Sequence, residues 1–363
     1  MTDCLIVGGG LLGMLTARFL HDAGAEVLVL DKSALGHEAS WAGGGILSPL
    51  YPWRYPEPVT ALATYSQQHY PALAEAIATE SGIDPEWTQS GLLVVDEAGE
   101  RDAAQAWARG HGLVLEAVPP GEVAGIEPAL ADGRHAGLWM PEVAQIRNPR
   151  LVKAMRGSLV ARHIAYREHA GVERLVVADG RVLGVQTVEG EIRADRVLVA
   201  SGAWSAGLLA QAGVRIEVAP VRGQMILFGA KPGVLTRIVL AGDRYLIPRR
   251  DGHILCGSTL EHVGFDKATT QAAMEELHAA AIERVPALAE YPVVKHWSGL
   301  RPGSPQGIPY LGEHPEVRGL YVNAGHFRNG VVLGLASARI VADQMLGRTP
   351  PLDPAPYAPA APH

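Results

Sequence analysis

The chain opens on an unbroken apolar run, Cys4-Leu5-Ile6-Val7, that stops at Gly8-Gly9-Gly10. A short continuous run bounded by glycines predicts a buried strand. Leu11 to Ala23 then predicts a helix with Gly24 as its C-terminal stop, and Glu26 to Leu30 a second strand ending at Asp31. Together they form the strand–helix–strand unit of a parallel sheet. Residues 60–81 predict a helix, and 89–97 a strand that opens a different layer. Asn148-Pro149 marks the capped start of a helix reaching about Arg162.

Residues 172–199 predict a meander, with turns at Asp179-Gly180 and Glu189-Gly190 between alternating runs, and a strand over Arg196–Ala200. Short strands broken by glycines and prolines from 215 to 260 suggest an antiparallel block. Thr269–Arg284 and Val331–Leu346 predict two further helices. The pattern therefore divides the chain into a discontinuous nucleotide-type α/β domain (1–88, 146–218 and 305–347) and an α+β domain on an antiparallel sheet (89–145 and 219–304). A Pro/Ala-rich tail (348–363) is expected to be exposed and poorly ordered.

The composition fits this picture. At 363 residues, 48% hydrophobic and 19% charged, the chain has the balance of a compact two-domain protein. The net charge of -7 argues against a nucleic-acid partner. Cys4 and Cys256 lie in apolar runs and read as buried free thiols, which fits a cytoplasmic protein. Leu5 to Leu20 imitates an export signal, but Asp3 and the glycines at 8, 9, 10 and 13 favour a strand–turn–helix. No run reaches the ~20 apolar residues of a membrane span. No metal site is assigned.

Glycines carry the chemical signal. In Gly8-x-Gly10-x-x-Gly13, Gly8 allows a tight turn, Gly10 a close backbone approach to a pyrophosphate, and Gly13 close helix–strand packing. The helix N-terminus then faces the phosphates, and Asp31 is placed to accept from ribose hydroxyls. A second glycine-flanked loop, Gly325-His326-Phe327-Arg328-Asn329-Gly330, enters a helix near the other end of the chain. Two such loops suggest closure around one long cofactor, which favours FAD over NAD. The positive end of the helix near Gly330 suits the flavin pyrimidine edge. Gly43-Gly44-Gly45 suggests close approach to a planar ring. Arg301, on a turn restrained by Gly299, Pro302 and Gly303, suits a bidentate carboxylate pair.

Four segments in chain order carry a resemblance: Val7–Gly13, Tyr245-Leu246-Ile247-Pro248-Arg249, Gly299-Leu300-Arg301-Pro302-Gly303 and Gly325–Gly330. The chain resembles the D-amino acid oxidase family of FAD enzymes, and within it the glycine oxidase branch associated with thiamine biosynthesis. The resemblance implies a glutathione-reductase-like Rossmann domain and non-covalent FAD, since neither cysteine lies where some relatives attach flavin. It implies that Arg301, Tyr245 and Arg328 hold the substrate carboxylate. It assigns to the cofactor Leu11, Leu12, Asp31, Lys32, Ala39, Ser40, Gly44, Gly45, Ile46, Val172 and the stretch His326, Phe327, Arg328, Asn329, Gly330, Val331, Val332. Ser201 and Gly202, after the Arg196–Ala200 strand, join this set.

Ile46 and Leu260 stand where methionines are expected to line the substrate pocket, and Asp243 where histidine is expected. The implied reaction is oxidative deamination of glycine, or of sarcosine and small D-amino acids, with O2, in a homo-oligomer. The alternatives are a sarcosine oxidase, a D-amino acid dehydrogenase that reduces a quinone, and a non-catalytic flavoprotein subunit.

Overall fold

The computed structural model describes residues 2–96, 98–130 and 136–361. Glu97, which ends the expected 89–97 strand, and residues 362–363 of the expected tail lie outside them.

The first sheet is built around the opening apolar run. The Thr2–Val7 strand lies between Val27–Leu30 and Gly190–Val199, parallel to both. Ala165–Arg167 extends one side, and Leu320–Ala324 then Tyr310–Glu313 the other. Alternate side chains explain why the run is apolar throughout. Cys4 and Ile6 face a core shared with the helices Leu11–Asp22, Glu57–Ser81, Asn148–Ala161 and Gly330–Met345. Leu5 and Val7 face a second core on the other side of the sheet. The meander forms there from Val172–Ala178, Arg181–Thr187 and the first half of Gly190–Val199. Its first turn has positive φ at both Asp179 and Gly180, as a type I′ hairpin requires.

The second sheet runs in the order Val293–Gly303, Ala219–Phe228, Ile254–Gly257, Arg244–Pro248, Ile238–Ala241, Leu92–Val95, Gly137–Met140 and Glu116–Val118. It is antiparallel except where Ile238–Ala241 meets Leu92–Val95. One face packs Ile226, Phe228, Leu246 and Cys256 against the Gln271–Arg284 helix. The other turns Met225, Tyr245 and Ile247 toward Ala42 and Ile46, which follow the first βαβ unit. The fold is thus the expected α/β Rossmann-like unit joined to an α+β unit.

Two expectations are corrected. Arg301 sits within the Val293–Gly303 strand, not on a turn; Gly299, Pro302 and Gly303 are accommodated in its pairing with Ala219–Phe228. The described part of the tail is anchored: Tyr357 is 2% exposed and its hydroxyl donates to the Pro58 carbonyl at 2.8 Å. One large ring with a satisfied hydroxyl is enough to fix a segment whose composition reads as disordered. Both cysteines are buried and free. No helix of the described residues is long and apolar enough to cross a membrane.

Candidate active site

One cavity takes its lining from both glycine segments. In the first segment, Gly8 has φ +111°, and a Cβ there would lie 2.4 Å from the Ala200 carbonyl oxygen. A Cβ on Gly13 would lie 1.9 Å from the Gly8 carbonyl oxygen, so the helix packs directly on the turn. Gly8, Gly10, Leu11 and Leu12 line the cavity; Gly13 lies behind them. The first-turn N–H groups of the helix have no i−4 carbonyl, so its positive end faces the cavity.

Asp31 lines the same cavity but is already engaged. One carboxylate oxygen accepts from the Gly9 N–H at 2.7 Å, and the other from the Ser33 N–H at 2.8 Å. Its remaining lone pairs can still take hydroxyl donors. Ser40 accepts from the Leu11 N–H at 2.9 Å and ties the 39–46 segment to the helix start. Lys32, Ala39, Val172, Ser201 and Gly202 complete this part of the wall.

In the second segment, His326 to Val332 lines the cavity where the Gly330–Met345 helix begins. His326 is fully buried. The Ser337 hydroxyl donates to the Leu333 carbonyl, so the His326 Nε2–H donates to Ser337 Oγ at 2.9 Å. Nδ1 is left as a bare acceptor with no partner among the described residues. Burial pulls the imidazole pKa down to about 3, which keeps it neutral. The amide nitrogen of the buried Asn329 also lacks a partner.

The second sheet supplies the remaining wall. Gly44, Gly45 and Ile46 cross in front of Tyr245, and a Cβ on Gly44 would lie 3.1 Å from the tyrosine ring. Gly45 has φ +80°, and a Cβ there would lie 1.9 Å from the Ile146 carbonyl oxygen. Among the described residues Arg301 donates to neutral acceptors, including the carbonyls of Thr259 at 3.1 Å and Arg222 at 3.4 Å, and Ser258 Oγ at 2.6 Å. Burial lowers its pKa, Tyr245 partly offsets this, and Arg328 adds to the lowering. The tyrosine hydroxyl rests on the weak acceptor Met225 Sδ at 3.5 Å. Among the described residues no carboxylate forms an ion pair with Arg301. A desolvated guanidinium with no anionic partner, beside a weakly engaged phenol, is a receptor for an anion.

Leu260 is misassigned. It follows the end of the Ile254–Gly257 strand, is 46% exposed, and does not line the cavity; Met225 occupies the apolar place beside Tyr245. Ser48, Leu50, Trp204, Met225 and Ser258 line the cavity without having been singled out for a role. Gly223 was also missed: a Cβ there would lie 2.1 Å from Arg301 Nη2, so the guanidinium rests on its bare backbone. No local pattern marks most of these residues: strand register brings Met225 to the cavity, and Ser48, Leu50 and Ser258 reach it from irregular segments. Trp204, two positions after Gly202, had the one usable signal.

The residues present fit FAD. A helix N-terminus bordered by side-chain-free backbone suits a pyrophosphate. The unpartnered His326 Nδ1 and Asn329 amide provide an acceptor and a donor for a polar ring.

A Rossmann-type cradle opening onto a half-buried cationic pocket defines a dinucleotide-dependent oxidoreductase. The chain belongs to the FAD dependent oxidoreductase (DAO) family, whose model matches residues 3–344. It is 51% identical to a glycine oxidase of Pseudomonas aeruginosa over 98% of both chains. It is 49% identical to a glycine oxidase of Pseudomonas putida, over 98% of this chain and 97% of the relative. The crystal structure of glycine oxidase from Geobacillus kaustophilus superposes with a TM-score of 0.94 at 30% identity, covering 99% of each chain.

Proposed function

We propose that this chain is an FAD-dependent glycine oxidase that converts glycine, O2 and water to glyoxylate, ammonia and H2O2. The observation that carries this reading is Arg301, half-buried in the cavity that the glycine segments line and, among the described residues, in no ion pair with a carboxylate. Arg301 and Tyr245 hold the substrate carboxylate, with Arg328 adding positive charge. Held without a covalent link by Gly8, Gly10, Leu11, Asp31 and the His326–Val332 stretch, FAD would supply a two-electron acceptor that O2 can reoxidise.

The protein's part is to bind, orient and exclude water. Met225, Ile46 and Leu50 surround the α-carbon side with apolar surface. The charge of Glu261 reaches Arg301, but that carboxylate is committed to Arg222, Thr259 and Gln224, and His326 is neutral with its Nε2 committed to Ser337. The substrate therefore binds as the free amine, and positioning provides most of the catalysis. The imino acid product hydrolyses in water. Cytoplasmic residence, a homo-oligomeric state and delivery of the imine to thiazole formation for thiamine belong to the same proposal.

The test is peroxide release with glycine, sarcosine, D-alanine and D-proline in parallel. Glycine is expected to give the highest kcat/KM. Peroxide only with larger D-amino acids, or none with any of the four despite bound FAD, would overturn the reading.

A further inference from the structure

The 42–45 loop has little rigidity of its own, since three of its four residues are glycine. Its Gly45 carbonyl accepts from the Ile146 N–H at 2.8 Å, and the rest of it is held by two strands of the second sheet, each of which also carries one of the proposed carboxylate-binding residues. On the Val293–Gly303 strand, Trp297, Gly299 and Arg301 share one face. The Trp297 Nε1–H donates to the Ala42 carbonyl at 3.0 Å, and its ring meets Trp41 edge-on at 5.9 Å. A Cβ on Gly299 would lie 2.6 Å from that of Ala42, so the loop lies directly on this strand.

The Arg244–Pro248 strand repeats the arrangement. Tyr245, Ile247 and, just past the strand, Arg249 alternate along one face. Tyr245 and Ile247 pack against Gly44. Arg249 is buried and donates to the Gly44 carbonyl at 2.6 Å and to Gln145 Oε1 at 2.8 Å. Its acceptors are neutral, and at a pKa of about 10 it remains charged at neutral pH. Each strand thus grips one loop carbonyl, Ala42 or Gly44, and presents one residue to the cavity, Arg301 or Tyr245.

We propose that Trp297 and Arg249 are positioning residues that clamp the 42–45 loop to the strands bearing Arg301 and Tyr245, coupling FAD retention to carboxylate capture. The coupling rests on the reading of Arg301 and Tyr245 as the carboxylate site. Because linkage is reciprocal, a bound carboxylate tightens FAD by the same factor by which FAD tightens the carboxylate.

The experiment uses acetate as an unreactive carboxylate. FAD Kd is read from flavin fluorescence quenching on apoprotein with and without acetate, and acetate Kd from the visible difference spectrum of the holoenzyme. In wild type, acetate lowers the FAD Kd. W297F keeps a ring but loses the donor; it is expected to raise both constants about five-fold, the scale of one neutral hydrogen bond. R249M removes a charge-assisted donor and is expected to raise both about ten-fold or more. G299A presses on Ala42 and is expected to produce the same paired loss, with A42G in that background restoring both constants. That pair decides the matter if W297F or R249M fails to fold. Variants that change one constant alone, or neither, overturn the proposal. Wild-type holoenzyme that binds no acetate overturns the carboxylate reading and the coupling with it. Absent glycine turnover with the coupling intact sinks the glycine assignment alone.

Discussion

The cofactor cradle and the substrate wall enclose one cavity but are made of different material. The cradle is mostly backbone: a turn at Gly8, a helix start at Leu11, a second helix start at Gly330. The wall is mostly side chains: Arg301, Tyr245 and Met225, set by strand register. A cradle built from backbone tolerates side-chain exchange around it and fails when a Cβ is added. A wall built from side chains fails when they are removed.

The largest expected effect follows from the cradle. At Gly8 an added methyl would meet the Ala200 carbonyl oxygen at 2.4 Å, and φ +111° strains any L-residue. Relieving that clash opens the turn beneath the proposed pyrophosphate site, a cost on the order of 3 kcal/mol. Gly8→Ala is expected to weaken FAD binding roughly 100-fold and to elute from gel filtration as apoprotein. Retained flavin at wild-type stoichiometry would break the contrast between the two regions.

On the wall, the corresponding change is truncation. Arg301→Ala removes a charge-assisted carboxylate pair of about 1.5–3 kcal/mol, which lowers kcat/KM for glycine by roughly 10–150-fold, chiefly through KM. FAD affinity measured without a carboxylate is expected to stay unchanged. An unchanged kcat/KM would remove the carboxylate assignment.

Gly223 sharpens the comparison, because here the wall depends on a missing side chain as the cradle does. A methyl at Gly223 would lie 2.1 Å from Arg301 Nη2 and displace the guanidinium from Ser258 Oγ. Gly223→Ala is expected to raise KM roughly ten-fold, less than truncation of Arg301, with FAD binding preserved. A KM equal to wild type would show that the guanidinium has a second seat.

The same contrast decides what was legible from sequence. Gly8, Gly10 and Gly13 announce themselves within six residues, since the turn and the helix that need them are local. The hairpin at Asp179-Gly180 is equally local. Arg301 stood out through its glycine and proline neighbours, but its setting was misjudged, because those neighbours also suit the middle of a paired strand. Gly223 was invisible: its need for a bare backbone arises from Arg301, 78 positions later, through the pairing of Ala219–Phe228 with Val293–Gly303. Leu260 was placed by resemblance along the chain, and a loop after Gly257 carries it outward. Tyr357 was lost because composition counts prolines and alanines but not one buried ring.

The smallest effect separates the regions by acid. Each has one carboxylate held at about pKa 2 against the ordinary 4.5. Burial alone raises Glu80, but hydrogen bonds from Arg162, Arg18 and Ser158 outweigh it and join three cradle helices. Burial likewise raises Glu261, and Arg222, Thr259 and Gln224 reverse it beside the Arg301 acceptors. A depressed folded-state pKa contributes stability that is complete above the unfolded value and is lost as pH falls toward the folded one. Both groups therefore contribute fully at pH 7 and lose their contribution between about pH 4.5 and 2. Glu80→Gln and Glu261→Gln are each expected to lower Tm at pH 7 and to flatten its decline below pH 4.5. Only Glu261→Gln is expected to raise KM at neutral pH, because Glu261 holds Thr259, whose carbonyl seats Arg301. A KM change of equal size in Glu80→Gln would mean that the two regions are not mechanically separate at this level.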